Sequence, residues 1–229
     1  MSQWHSKTTK EVLDQLNVTV QDGLTDSEAK KRLDQYGPNE LKSAERESLF
    51  MRFLDQMKDP MIIVLLIAAV LSFVSSGLTD WVDSVIILLI VIVNAVISIS
   101  QEDNAEKALE ALRKMSAPLA KVIRNGSMTR VETNLLVPGD IIVLEAGDLV
   151  PADARILECA NLKADEAAMT GESVPVTKSA LDSLPEDTAL GDRKNMVISS
   201  TVITNGRATC VVTSTGMETE VGQIAGMLM

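Results

Sequence analysis

Two stretches of this 229-residue chain decide how the rest is read: MIIVLLIAAVLSFVSSGL at 61–78 and SVIILLIVIVNAVISISQ at 84–101. Neither holds a charged side chain. Each is close to the ~20 residues that cross a hydrocarbon core as a helix. Only Thr79-Asp80-Trp81-Val82-Asp83 separates them. So short a link predicts two antiparallel helices, a transmembrane hairpin with Trp81 as an interfacial anchor. The competing reading is a pair of buried core helices. Ile86–Val93 argues against it, because that run shows no polar face. A secretory signal is also a poor match, since a long charged segment precedes the first run.

Charge on either side of the runs sets an orientation. The link has no Lys or Arg, whereas Lys42, Arg46, Arg52 and Lys58 flank one side and Lys107, Arg113 and Lys114 the other. The positive-inside bias then predicts a multi-pass membrane protein with both ends cytoplasmic, in the plasma membrane if the source is bacterial. The chain as a whole is acidic: 21 Lys+Arg against 32 Asp+Glu, a net charge of −11. That balance excludes nucleic acid as the main partner, which needs a basic face. Cys159 and Cys210 are too few for a disulfide framework and have no CxxC spacing. They read as buried thiols in a reducing compartment.

Working toward the N-terminus, Thr8 with Glu11 and Thr25 with Glu28 have capping-box spacing before apolar helical patterns. Gly37-Pro38 is a stop signal for the second helix. Leu49, Phe50, Phe53, Leu54 and Met57 recur at helical spacing before Asp59-Pro60. Working toward the C-terminus, Glu102–Met115 holds no Gly or Pro. The second span therefore continues as a helix over Ser84–Met115, ~48 Å long at 1.5 Å per residue. Some ~18 Å would project beyond the ~30 Å hydrocarbon core as a stalk, and Pro118 ends it.

From Leu119 the pattern changes to strands. Asn125-Gly126 predicts a type I′ hairpin between Lys121–Arg124 and Ser127–Thr133. Ile141–Ala146 and Arg155–Cys159 read as strands between turns. Met196–Thr204, Asn205-Gly206 and Arg207–Ser214 read as another hairpin. Residues 182–195 read as a polar surface loop and Glu218–Met229 as a helix. The expected fold is an α+β membrane protein in three parts. These are a helical N-terminal segment at 1–58 and a hairpin with stalk at 59–118, followed by a β-rich distorted sandwich or jelly-roll-like domain at 119–229.

The sequence carries no Gly-rich phosphate loop, no HExxH and no nucleophile elbow. The one histidine, His5, reads as a solvated terminal residue, which leaves no Ser/His/Asp or Cys/His apparatus. What remains is Thr170-Gly171-Glu172-Ser173, a tight turn presenting one carboxylate between two hydroxyls. Such a carboxylate can orient and deprotonate a water; the plainer reading is a solvated turn Glu.

Several motifs in order carry a resemblance. They are Gly23-Leu24-Thr25 to Gly37-Pro38-Asn39-Glu40-Leu41, Asp59-Pro60, Asn94, Gln101-Glu102, Ala105–Leu112 and Val137-Pro138-Gly139-Asp140. Gly147–Asp153, Thr170–Ser173, Lys194-Asn195-Met196, and Gly216 with Thr219–Gly222 follow. The chain resembles the N-terminal part of P-type cation-transporting ATPases, most closely the calcium-pump-like branch. The resemblance implies that 119–229 is an actuator domain whose Thr170, Gly171, Glu172 and Ser173 form the catalytic loop. Glu172 would position the water that hydrolyses an aspartyl phosphate carried elsewhere in the polypeptide. It implies ATP and Mg2+ as cofactors of the full-length pump, with no cofactor or metal held by these residues. Implied partners are the lipid bilayer, the phosphorylation and nucleotide-binding domains, the remaining spans and a transported cation. Calcium leads the candidates, ahead of manganese, sodium or protons.

Two departures from the family pattern stand out. Ala167-Ala168-Met169 precedes the loop where a Ser and a Leu are usual. Ser200 stands where a Gly often sits, and would be strained if the backbone there needs φ > 0. No Asp-Lys-Thr-Gly-Thr phosphorylation motif occurs, so the sequence reads as part of a longer pump, inactive by itself. The alternative is a complete, non-catalytic, membrane-anchored β module that binds a partner.

Overall fold

The computed structural model describes residues 3–41, 48–75, 82–115, 118–172 and 174–228. They form seven α-helices and seven strands in two compact units, one of residues 44–116 and the other of 1–43 with 117–229. The sequence divides the chain at 58 and 118; contacts instead group the first 43 residues with the β-rich part.

In the helical unit, α3 (Leu49–Gln56) starts at Ser48, whose hydroxyl accepts the Met51 N–H. Arg52 ties α3 to α5 through Asp103 (3.0 Å) and Glu106 (3.5 Å). α4 (Pro60–Ser75) packs against α5 (Val82–Met115). α5 runs unbroken for 34 residues, about 51 Å, as a stretch without Gly or Pro predicts. Among the described residues one stretch, Val85–Leu109, is long and apolar enough to cross a membrane by length and composition. Its Ile86, Leu88, Leu89 and Ile90 are exposed, unlike the side chains of a core helix. Among the described residues α4 covers 16 residues, about 24 Å, with the shorter apolar stretch Pro60–Ser72; residues 76–78 of the expected first span lie outside them. The expected two-span hairpin is therefore met in one arm among the described residues. Val82 and Asp83 already belong to α5, while Thr79, Asp80 and the anchor Trp81 lie outside the described residues, as do Lys42 and Arg46.

In the other unit, β1 (Leu119–Arg124), β2 (Ser127–Glu132), β3 (Ile141–Glu145), β4 (Asp153–Asp165), β5 (Val176–Thr177), β6 (Met196–Val197) and β7 (Val202–Ser214) form one antiparallel sheet. Its order is β2-β1-β3-β7-β4-β5, with β6 on β4. Asn125 and Gly126, at φ +51° and +69°, make the expected I′ turn. Successive residues are buried on both faces. Ile142, Ile156, Cys210 and Val212 pack into the larger core. Ile141, Leu157 and Val211 face Val12 and Leu16 of α1 (Thr9–Leu16). Burying each of those large aliphatic side chains is worth about 1.5–3 kcal/mol, which is why the N-terminal helices belong to the sheet. α2 (Asp26–Tyr36) adds Ala29 against Leu24 and Val137. The Thr8–Glu11 capping box is complete; Thr25 caps α2 while Glu28 pairs with Arg32 instead. Beyond α2, Asn39 donates to the Thr133 and Pro151 carbonyls and accepts the Gly216 N–H.

Two expectations are corrected. Asn205-Gly206 is not a hairpin turn: β7 continues through it for 13 residues against the equally long β4. Gly206 sits at φ +81° where the register shifts, and a Cβ there would come within 2.3 Å of the Ala160 carbonyl oxygen. The glycine marks a bulge pressed against a neighbouring backbone. His5 is not solvated: it lies in a 3-10 turn, Trp4–Ser6, and is buried. Its carbonyl accepts from Asn195 and Leu184, and those bonds hold the terminus onto the sheet unit. Cys159 and Cys210 are free thiols; burial pushes the Cys210 thiol well above its ordinary value.

α7 (Glu220–Leu228) begins on two acceptors. The Thr219 hydroxyl takes the Gly222 N–H at 3.0 Å. Asp153, from the start of β4, takes the Glu220 N–H at 2.7 Å and the Ser199 N–H at 2.8 Å. These satisfy N–H groups that the helix itself leaves unpaired.

Candidate functional site

The long strand β4 delivers the candidate loop. At its end the Asp165 carboxylate accepts the Ala167 N–H at 3.0 Å, opening one turn of helix, α6 (Ala167–Thr170). The Glu166 carbonyl accepts the N–H groups of Met169 and Thr170, both at 2.9 Å, and the Thr170 hydroxyl at 3.1 Å. Gly171 then stops the turn at φ +78°, ψ −1°, with its N–H on the Ala167 carbonyl. Among the described residues no atom lies within 4 Å of where its Cβ would be, and the left-handed backbone is what favours glycine here. The Glu172 N–H donates to the Thr170 hydroxyl oxygen at 3.3 Å. Thr170 thus bonds behind and ahead of itself, and the Glu172 carboxylate stands exposed at the tip. Thr170, Gly171 and Glu172 form one turn, as expected; Ser173 lies outside the described residues.

Beneath the turn sits a buried ion pair that the sequence did not signal. Lys178 Nζ lies 2.5 Å from Glu166 Oε1, and both side chains are fully enclosed. Lys178 also donates to the Arg193 carbonyl at 3.3 Å. Burial pushes the Glu166 carboxyl up and the Lys178 ammonium down from their ordinary values. Each charge is tolerable only because of the other; removing either would strand a buried charge. The two residues sit at opposite ends of the excursion between β4 and the residue after β5, so the pair closes its neck. Above it, Gly191 of the turn Leu190–Asp192 packs on Thr170, where an added Cβ would lie 3.1 Å from Thr170 Cγ2. The turn therefore rests on a fixed base while its carboxylate faces outward.

Glu166 was visible only as a charged neighbour of the loop, and Lys178 as one lysine in a polar stretch. A faint signal existed: the lysine follows Val174-Pro175-Val176, an extended run able to return to the strand it left. Among the described residues no group of three or more His, Cys, Asp or Glu side chains could hold a metal ion.

This layout is an antiparallel sheet with bulged long strands, N-terminal helices on one face and an exposed acid on a glycine-capped turn. It corresponds to a known class. Residues 114–229 match the P-type ATPase actuator domain, and residues 4–72 match the N-terminal module of cation transporters and ATPases. The chain belongs to the P-type ATPase family.

Similar proteins include a calcium-transporting ATPase of Listeria monocytogenes, 49% identical over 98% of this chain and 25% of the relative. Calcium-transporting ATPase 1 of Bacillus cereus is 45% identical over 100% of the chain and 26% of the relative. A sodium/potassium exporting P-type ATPase of Schizosaccharomyces pombe is 41% identical over 96% and 21%. The chain spans about a quarter of the length of the curated relatives it matches.

Proposed function

We propose that this chain is the actuator portion of an ATP-driven cation pump, with calcium as the first candidate ion, and that Glu172 drives removal of the phosphoryl group from a phosphorylated aspartate elsewhere in the same polypeptide. The water oxygen attacks phosphorus and its proton passes to the Glu172 carboxylate. The bond from phosphorus to the aspartate oxygen breaks, leaving a free carboxylate and inorganic phosphate. Thr170 and Gly171 fix the turn, and Ser173 completes the four-residue motif. The observation that carries this reading is the exposed Glu172 on a rigid, glycine-capped turn.

In this reading residues 1–58 are cytosolic, residues 59–118 supply two spans and a stalk, and 119–229 swing as one body. Both ends face the cytoplasm, in contact with the lipid bilayer only through the spans. ATP and Mg2+ act at the nucleotide-binding and phosphorylation domains. The Listeria and Bacillus relatives favour calcium by their names, and the yeast relative keeps sodium in view.

The test is a pulse-chase of phosphoenzyme in the full-length pump, run with calcium, manganese and sodium and at varied pH. Glu172→Gln should leave phosphoenzyme formation intact and slow its decay by about 100-fold or more. Normal decay in that variant would remove Glu172 from the reaction.

A further inference from the structure

We infer that residues 3–9 act as a strap that positions the Glu172 turn, with His5 as its positioning residue. The inference rests on the proposed role of Glu172 and adds a residue to it.

The strap is held by the loop at 181–195, which is itself tied to β4 by the Ile156 N–H on the Asn195 carbonyl at 3.0 Å. The Leu184 N–H and the Asn195 side-chain amide both donate to the His5 carbonyl, at 3.0 and 2.9 Å. The His5 ring Nε2 lies 3.2 Å from the Glu186 carbonyl oxygen, so the Nε2-protonated ring donates there. The Thr9 N–H donates to the Asp182 carboxylate at 3.1 Å. Arg155, fully buried in β4, puts one Nη2 against the carbonyls of Lys7 (3.4 Å), Leu181 (2.6 Å) and Asp182 (2.5 Å). One guanidinium therefore grips strap and loop together.

The far end of the same loop reaches the candidate site. Its Arg193 carbonyl accepts from Lys178, the partner of Glu166, and its Gly191 packs on Thr170. Glu166 and Thr170 are the residues that shape the turn carrying Glu172. A continuous series of bonds and packing contacts thus runs from His5 through the loop to the base of the turn. Freeing the strap lets the loop drift, which loosens the floor on which Glu172 stands.

Two measurements test this. Hydrogen exchange of the amides in 181–195 reads the strap, and phosphoenzyme formation and decay in the full-length pump read the site. His5→Ala should speed exchange at Leu184 roughly fivefold, the loss of about one hydrogen bond. It should slow phosphoenzyme decay severalfold while leaving formation unchanged. His5→Gln, whose amide has the same reach as the ring nitrogen, should restore both. Unchanged exchange in His5→Ala overturns the strap. Faster exchange with normal decay overturns positioning, and so does equal slowing of formation and decay, which marks general damage. A normal decay in Glu172→Gln would instead overturn the proposed function, independently of the strap. Should His5→Ala fail to fold, Asp182→Ala, on an exposed loop, carries the same test through the Thr9 contact.

Discussion

Ser200 stands at φ +66°, a left-handed backbone that costs a residue with a Cβ roughly 1–2 kcal/mol relative to its ordinary conformations. Its side chain is exposed, and among the described residues it makes no hydrogen bond that would offset this. The sequence carried the warning, because Ser200 occupies a place where a glycine is common in the resembling family. Ser200→Gly should therefore stabilise the sheet unit by about 1 kcal/mol, less the entropy glycine adds to the unfolded chain. Denaturant unfolding of both forms checks it; a less stable variant would show that the hydroxyl makes a contact worth more than the strain. At the same scale Thr170, Gly171 and Glu172 were legible, since a turn motif is local. Glu166 and Lys178 were not: their role comes from burial against each other, and residue type alone carries no trace of burial. His5 was misread for the same reason, its partners lying some 180 residues away.

Local elements were the easiest to read. The caps at Thr8 and Thr25, the I′ turn at Asn125-Gly126 and the long uninterrupted α5 are all set within a few residues. Asn205-Gly206 offers the same dipeptide with a different outcome, because its neighbour across the sheet is the close backbone of Ala160-Asn161. Only the pairing partner decides between turn and bulge. The start of α7 shows how an element can depend on a distant charge. Asp153 is buried between two N–H donors beside Glu220, and desolvation raises its pKa from 3.8 to about 6. A carboxyl whose folded value lies above its unfolded value stabilises the fold most below pH 3.8. That contribution is lost as pH rises through 6. The loss should reach about 3 kcal/mol by pH 7. Since Asn does not titrate, the stability of the native chain minus that of Asp153→Asn should fall by this order between pH 4 and 7. A flat difference would mean that Asp153 is not desolvated in solution.

At the scale of the whole molecule, the chain joins a well-packed sheet unit to a helical unit whose apolar side chains are largely exposed. Val85–Leu109, with a mean hydropathy of 2.3, is only 11% buried among the described residues. The chain should stay in the membrane pellet after alkaline carbonate washing; recovery in the supernatant would sink the membrane assignment. The division into helical and β-rich parts was readable at this level because apolar runs and alternating strands differ in period. The grouping of residues 1–43 with the sheet was not, since it rests on side chains that meet only after folding. That grouping has a consequence for biosynthesis. α1 emerges from the ribosome early, but Val211, against which it packs, is translated about 200 residues later. At 5–20 residues per second the head of the chain waits roughly 10–40 s for its binding surface. Val12 and Leu16 are exposed throughout that delay, which makes the nascent N-terminus a natural client for chaperones.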